Sequence, residues 1–157
     1  MSKKVLVIEP DSFIRDHMEE LLEIDNYIPL MAENADTGIA LAIAHHPDII
    51  FSELSKPDLI GLTVFKTLKQ EPTTRHIPII LIFTYMNPEM LALLQELRHQ
   101  PIKPDEFMIK PFAGDEIITV IKIYTSEKLH NTWHEAKKIP RRCSTTRDKL
   151  NRNVFSQ

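Results

Sequence analysis

Short apolar runs recur along the chain, each too brief for a helix, and they alternate with longer stretches in which apolar residues follow helical spacing. The runs lie within residues 5–8, 27–32, 49–51, 77–83 and 106–109. Short runs rich in β-forming residues favour buried strands. Strands that alternate with helices pair in parallel, because each connection must cross back over the sheet. The pattern therefore predicts an α/β fold, a three-layer sandwich with five parallel strands.

Start signals and apolar spacing support the first two helices. Asp11 or Ser12 can cap the first helix, and Asn34 or Asp36 can cap the second, because their side-chain oxygens accept hydrogen bonds from free backbone N–H groups. In the first helix, the apolar residues recur at helical spacing and predict the face that contacts the sheet. These residues are Phe13, Ile14, Met18, Leu21, Leu22 and Ile24.

The last thirty residues differ from the rest of the chain in charge. Residues 128–157 hold eight Lys or Arg and two Asp or Glu, whereas residues 1–127 hold 11 and 20. We therefore divide the chain into a domain at 1–127 and an extension at 128–157 that is helical at first and then disordered and basic. A solvated tail is the simplest interpretation of the basic part. Binding of nucleic acid is an alternative, although no recognisable nucleic-acid-binding module remains in this extension.

Several functional classes lack their usual signatures. The three glycines form neither a dinucleotide-binding nor a P-loop motif, and hydrolase and zinc motifs are missing. His130 and His134 share a helical spacing without a third ligand, and Cys143 is the single cysteine. No apolar run is long enough to span a membrane, and the first strand follows the first residues directly. We therefore expect a cytoplasmic protein that does not act at a membrane.

Polar side chains follow four of the five predicted strands. Glu9 and Asp11 follow the first strand, Glu53 the third, Thr84 the fourth and Lys110 the fifth. The carboxyl ends of parallel strands meet at one edge of the sheet, where α/β proteins place their ligand crevice. These carboxylates, one hydroxyl and one ammonium are therefore expected around a single crevice.

Four segments at these strand ends resemble the receiver domain of bacterial two-component response regulators. They are residues 5–11, 47–54, 77–84 and 107–112, and the similarity covers roughly residues 3 to 127. The resemblance implies a flavodoxin-like five-stranded fold. It also implies an aspartate after the third strand that accepts phosphate from a histidine kinase, and a magnesium ion held by an acidic pair after the first strand.

The chain departs from the resembled family at the chemical positions. Glu53 stands where the family has its phosphate-accepting aspartate, and Glu9 and Pro10 stand where it has the acidic pair. Pro10 has no side-chain oxygen, and Mg²⁺ requires oxygen ligands in near-octahedral geometry. We therefore expect no cofactor. The alternative metal site would recruit Asp11 beside Glu9 and Glu53.

The resemblance and the departures together predict a pseudo-receiver. Glu53 would permanently occupy part of the space of a phosphoaspartate, forming an ion pair with Lys110 and accepting a hydrogen bond from Thr84. In the resembled family these two contacts register phosphorylation. Phe107 matches the family's aromatic switch position and lacks a hydroxyl, which makes burial of its ring easier. Tyr85 would further crowd the crevice.

We therefore expect a stand-alone signalling protein that is not an enzyme and acts by binding another protein. A histidine kinase or a downstream signalling protein is the expected partner, and a homodimer is an alternative. The face implied by the resemblance comprises the fourth helix, fifth strand and fifth helix. Two other hypotheses remain: Glu53 has no signalling role, or the chain is a phosphorylatable regulator in a phosphorelay with Asp11 as a metal ligand.

Overall fold

A computed structural model describes residues 2–54, 60–84, 87–126, 131–132 and 135–137. Five strands alternate with five helices along the chain. The elements are β1 (Lys4–Ile8), α1 (Ser12–Ile24), β2 (Ile28–Ala32), α2 (Ala35–His45), β3 (Ile49–Glu53), α3 (Ile60–Gln70), β4 (Ile79–Phe83), α4 (Pro88–His99), β5 (Glu106–Ile109) and α5 (Gly114–Thr125).

The five strands form one sheet in the order β2-β1-β3-β4-β5, and every pair is parallel. All five residues of β3 and of β4 are buried, as expected for inner strands that helices cover on both faces. The edge strand β2 is more exposed. The backbone N–H of Ile28 donates to Lys3 O, inside the sheet, so the backbone nitrogen of the next residue, Pro29, is on the outer side of the edge strand. Proline has no N–H, so the outer edge offers one donor fewer to another chain.

Each face of the sheet has its own core. On one face α1 and α5 pack on the strands, through residues such as Met18 and Ile121. On the other face α2, α3 and α4 do so, through residues such as Ala42, Phe65 and Leu94. Successive strand residues point to opposite faces, so strands of only four or five residues supply both cores.

The predicted architecture of five parallel strands between two helical layers is confirmed, and the strand limits differ slightly. β4 was predicted from Ile77 and begins at Ile79, because the Ile77 N–H closes a turn onto Thr74 O. β2 was predicted from Tyr27 and begins one residue later, because the Tyr27 N–H donates to Leu22 O. In both cases the backbone N–H donates to a carbonyl of the preceding turn and is therefore not available for a hydrogen bond to a neighbouring strand.

The predicted contact face of α1 is wrong at its two ends. Met18 and Leu22 are buried, whereas Phe13 is 82% and Ile24 73% exposed. At 3.6 residues per turn, Phe13 and Ile24 lie on the side of the helix opposite Leu22, so both point away from the sheet. Apolar residues lie on both sides of this helix, so their presence alone did not identify the face that contacts the sheet.

Gly61 allows the third helix to begin directly against the end of β3. A Cβ atom at this position would lie 2.8 Å from the backbone oxygen of Glu53 and 3.1 Å from Leu81 Cδ2. Neither the backbone nor the buried Leu81 has room to move away. The absence of a side chain at Gly61 therefore holds the strand end that carries Glu53 close to α3.

Part of the predicted helical extension is described, and it contacts the domain. Residues 131–132 and 135–137 are helical, and Lys137 Nζ lies 2.8 Å from Glu106 Oε2 at the start of β5. Tyr124 of α5 donates to the same carboxylate oxygen at 3.0 Å. The predictions made for Tyr85, for the histidines His130 and His134, and for Cys143 with the basic tail lie outside the described residues.

Candidate functional site

The polar residues predicted at the strand ends lie at one edge of the sheet, as the parallel topology requires. Glu9 follows β1, Glu53 ends β3, Thr84 follows β4 and Lys110 follows β5. Lys110 comes from the edge strand, two strand spacings or about 10 Å from β3. A long side chain is therefore needed to bring its charge to the middle of the sheet.

Lys110 joins two buried carboxylates. Its Nζ lies 2.8 Å from Glu9 Oε2 and 2.8 Å from Glu53 Oε2. The three side chains are 13%, 5% and 6% exposed, in the order Lys110, Glu9, Glu53. The contact with Glu9 has the geometry of a hydrogen bond, whereas Glu53 Oε2 accepts no well-directed hydrogen bond from the described residues. Two anions thus share one cation, and Glu53 is the less well satisfied of the two.

The loop after β1 holds Glu9 in place from both sides. The backbone N–H of Asp11 donates to Glu9 Oε1 at 3.2 Å. Arg15 Nη1 donates to the backbone oxygens of Glu9 at 2.8 Å and of Pro10 at 3.3 Å. The carboxylate of Glu9 therefore has a donor at each oxygen, and the guanidinium of Arg15 binds the backbone rather than the acid pair.

Asp11 caps helix α1. Its Oδ1 accepts hydrogen bonds from the backbone N–H groups of Phe13 at 2.9 Å and Ile14 at 3.1 Å. These bonds satisfy two free donors of the first helical turn, which is the usual role of an N-cap aspartate. The capping option predicted for Asp11, rather than Ser12, is thus observed, and its carboxylate is turned toward the helix.

Thr84 and Phe107 lie at the margin of this cluster. The hydroxyl of Thr84 is 3.5 Å from Glu53 Oε1, which is long for an O–H donor, and the residue is exposed. Phe107 is half-buried and packs against the core under α3 and α4. The predicted Lys110–Glu53 ion pair is therefore present in the structure, while the predicted Thr84 hydrogen bond is weak.

Burial and charge shift two pKa values in the cluster. Desolvation raises the pKa of Glu53, the charge of Glu9 raises it further, and the close contact and charge of Lys110 act in the opposite direction without cancelling the rise. For Lys110, desolvation alone would lower the pKa. The close contacts and charges of Glu53 and Glu9 outweigh it, so the pKa of Lys110 is raised.

The raised pKa of Glu53 predicts a pH-dependent stability. The folded state holds a proton on Glu53 at higher pH than the unfolded chain, whose pKa is near 4.5. The stability due to this proton is complete below the unfolded pKa and is lost as the pH rises through the folded pKa. Glu53→Gln keeps the neutral form at every pH. Its free energy of unfolding should therefore rise relative to wild type as the pH rises, by about 1.4 kcal/mol for each unit of pKa shift.

Urea denaturation of both proteins between about pH 4 and pH 8 measures this difference. The exposed Glu96 on α4 supplies the matched control, since Glu96→Gln removes the same charge from a solvated site. The change of this difference with pH should be larger for Glu53→Gln than for Glu96→Gln. A flat difference for Glu53→Gln would mean that burial does not perturb Glu53.

Ser52 is a buried residue beside the site that sequence analysis missed. It is fully buried, and its hydroxyl has no hydrogen-bond partner among the described residues. The run Ile49–Phe51 signalled a buried strand, and its continuation through Ser52 was the available signal. A buried hydroxyl without a partner costs stability, because its hydrogen bonds to water are lost on folding.

We expect Ser52→Ala to stabilise the protein by about 1 kcal/mol. The alanine methyl fits the space of the serine side chain and loses no hydrogen bond. Thermal and urea denaturation measure the change. Thr74→Ala is the contrast, because the buried hydroxyl of Thr74 donates to Leu68 O at 2.8 Å, and its removal should destabilise the protein. Equal effects of the two substitutions would show that the hydrogen bonding of the hydroxyl does not determine the change in stability.

An alternating α/β sandwich with two carboxylates and a lysine at its carboxyl edge is the arrangement that the resemblance to receiver domains implies. The family model for the response regulator receiver domain matches residues 5–122. The chain therefore belongs to the response regulator receiver domain family.

Relatives and solved structures agree with this assignment. The chain is 27% identical over 127 residues to the polar-differentiation response regulator DivK of Brucella ovis, covering 81% of this chain and 99% of that protein. It is 29% identical over 122 residues to the phosphate regulon transcriptional regulatory protein PhoB of Klebsiella pneumoniae, covering 78% of this chain and about half of that protein, 51%.

The fold also matches a solved receiver domain. The signal receiver domain of a signal transduction histidine kinase from Syntrophus aciditrophicus superposes with a TM-score of 0.69 and 21% identity, over 92% of this chain and 99% of that chain. The flavodoxin-like architecture implied by the resemblance is thereby confirmed. Among the described residues, no helix combines the length and apolar character that a membrane span requires.

Proposed function

We propose that this chain is a pseudo-receiver, a receiver domain that signals by binding another protein and does not depend on phosphorylation of its acceptor position. The observation that carries the proposal is the contact of Lys110 Nζ with both Glu53 and Glu9, each at 2.8 Å. The carboxylate at the acceptor position thus already holds the lysine that, in the family, responds to a phosphoryl group.

The longer side chain of Glu53 supports this proposal. Glutamate places its carboxylate one methylene beyond the position of an aspartate, toward Lys110 and Thr84. In-line attack on phosphorus requires the nucleophile in a defined position, and a displacement of about 1 Å can cost on the order of 100-fold in rate. Glu53 therefore suits a fixed electrostatic partner better than it suits a nucleophile.

The residues around Glu53 do not fit a magnesium ion. Pro10 offers no side-chain oxygen, and the carboxylate of Asp11 is used by the start of α1. The ammonium of Lys110 lies beside Glu9 and Glu53, the two remaining carboxylates, and opposes the approach of a dication. We therefore include no metal and no enzymatic step in the proposed function.

Protein binding is the activity that remains for such a domain. The family to which the chain belongs works through kinases and effector proteins, so we propose a histidine kinase or a downstream signalling protein in the cytoplasm as its partner. With a fixed charge at the acceptor position, the binding surface would be present constantly, and signalling would be set by the amount of protein or by the partner.

Incubation with acetyl phosphate and Mg²⁺, followed by intact-mass analysis, tests the proposal. Attack by a carboxylate oxygen on phosphorus would release acetate and add one phosphoryl group to the protein. We expect no addition to the wild type. A stable addition that disappears in Glu53→Ala would overturn the proposal and establish a phosphorylatable regulator.

A pull-down from the native cytoplasm tests the second part of the proposal. Wild type and Glu53→Gln serve as baits, since the variant keeps the side-chain length and removes the charge. We expect a protein that is captured by wild type and depleted at least about tenfold with the variant, if the charge sets the binding conformation. Equal capture by both baits would show that Glu53 has no signalling role.

A further inference from the structure

Helix α1 presents an unpartnered face to solvent, which we call the α1 face. It consists of Phe13, Asp16, His17, Glu20, Glu23 and Ile24, all of them exposed. Their spacing of three, one, three, three and one residues places them along one side of the helix. Phe13 and Ile24 stand at the two ends, about 16 Å apart along the helix axis. Two large apolar groups thus frame a strip of three acids and one histidine.

The charges on this face are unbalanced within α1. Asp16 and Glu20, and likewise Glu20 and Glu23, lie one helical turn apart and repel each other. The last turn contains no basic residue, although the helix dipole favours cations at that end. Arg15 donates to backbone oxygens of the loop after β1, which leaves one histidine, His17, among the three acids of the face. A cationic segment placed over the α1 face would relieve this repulsion.

The same chain contains a segment of the opposite charge. Residues 138–157 lie outside the described part of the structure and hold six Lys or Arg and one Asp. Four apolar residues are spread among these charges, and they could contact the apolar ends of the α1 face. They are Ile139, Leu150, Val154 and Phe155.

The described part of the extension brings this segment to the correct side of the domain. Lys137 is anchored to Glu106, whose carboxylate also binds Tyr124 of α5. Helices α5 and α1 share one core and touch, since a Cβ at Gly114 would lie 2.3 Å from Leu21 Cδ1. Packed helices are about 8–10 Å apart. A dozen extended residues span about 40 Å, so the segment reaches across α5 to α1.

We propose that residues 138–157 fold back in cis and cover the α1 face, with basic side chains against its three acids and apolar side chains against Phe13 and Ile24. A protein partner that binds α1 must then displace the chain's own C-terminal segment. The chain's own segment is favoured over the same segment of a second copy, because a segment tethered beside α5 is present at a high effective concentration.

The single cysteine makes a direct test available in the full chain. A nitroxide spin label on Cys143 broadens the NMR signals of amides that the tail approaches. We expect broadening of the α1 amides from Phe13 to Ile24, at low salt, with little effect on α2 and α3. The broadening should fall at least about threefold at 0.5 M salt, because screening weakens contacts between exposed charges.

Charge reversal identifies the surface that holds the tail. The double variant Glu20→Lys/Glu23→Lys should reduce the α1 broadening at least about threefold. The control variant Glu33→Lys/Glu96→Lys changes the net charge equally, at exposed positions before α2 and on α4, and should leave the broadening unchanged. Amide dispersion like that of the wild type establishes that each variant is folded.

A mixed-isotope sample distinguishes docking of the tail on its own chain from docking on a second copy. In a mixture of spin-labelled unenriched protein and ¹⁵N-enriched protein without the label, the α1 signals should stay sharp. Broadening in that mixture would show docking on a second copy and would overturn the proposal. Broadening confined to another face, or α1 signals that are unaffected in every sample, would overturn it as well.

Discussion

Replacement of Lys110 by methionine is expected to destabilise the protein by about 3–5 kcal/mol. The substitution keeps an unbranched side chain of similar size and removes the ammonium that lies 2.8 Å from both Glu9 and Glu53. Two buried carboxylates would then face each other without a cation, and removing one partner of a buried ion pair costs this much because the remaining charge is uncompensated. Urea denaturation near pH 7.5 measures the loss.

Neutralising Glu9 and Glu53 in the Lys110→Met variant tests whether the loss of stability comes from their unpaired charges. The triple variant Lys110→Met/Glu9→Gln/Glu53→Gln has no buried charge in the cluster and should regain most of the lost stability. Lys137→Met is the matched control, because it removes an ammonium from the more exposed pair with Glu106 and should cost at most about 1 kcal/mol. A similar small loss for Lys110→Met would show that the buried cluster is well solvated.

The fold and the candidate site could be predicted from the sequence because both follow from alternation. Once five apolar runs alternate with helices, the strands must be parallel, and the residues after them must share one edge. The placement of Glu53 and Lys110 at one edge followed from that argument, and their ion pair was predicted from the resemblance to the family. The second contact of Lys110, with Glu9, was not predicted, because it depends on β1 lying next to β3 and on the reach of the lysine side chain.

Other features could not be predicted from the sequence pattern, because they depend on which hydrogen-bond partner a side chain finds and on which way it points. Asp11 was a candidate both for the helix cap and for the acidic site, and its carboxylate takes the two free N–H groups nearest to it. Phe13 is apolar, but it lies on the side of α1 opposite the buried Leu22 and is therefore exposed. The polarity of Ser52 did not indicate that its hydroxyl would be buried without a partner.

Restoring two family residues is expected to convert the chain into a phosphate acceptor. In the double variant Pro10→Asp/Glu53→Asp, position 10 gains a carboxylate and the acceptor side chain shortens by one methylene. A carboxylate at position 10, beside Glu9, would provide the acidic pair that the family uses for Mg²⁺. With acetyl phosphate and Mg²⁺, the variant should gain one phosphoryl group at a rate at least about 100-fold above wild type.

Single variants and a variant without an acceptor carboxylate show how much of the gain in phosphorylation rate comes from position 10 and how much from position 53. Glu53→Asp alone should accept slowly, since Pro10 still offers no oxygen ligand, and Pro10→Asp alone should fail because the acceptor is displaced. Pro10→Asp/Glu53→Asn retains position 10 without a nucleophile and should show no addition, and EDTA should abolish the addition in the active variant. If the double variant stayed inert while folding normally, positions 10 and 53 would not account for the lack of phosphorylation proposed for the wild type.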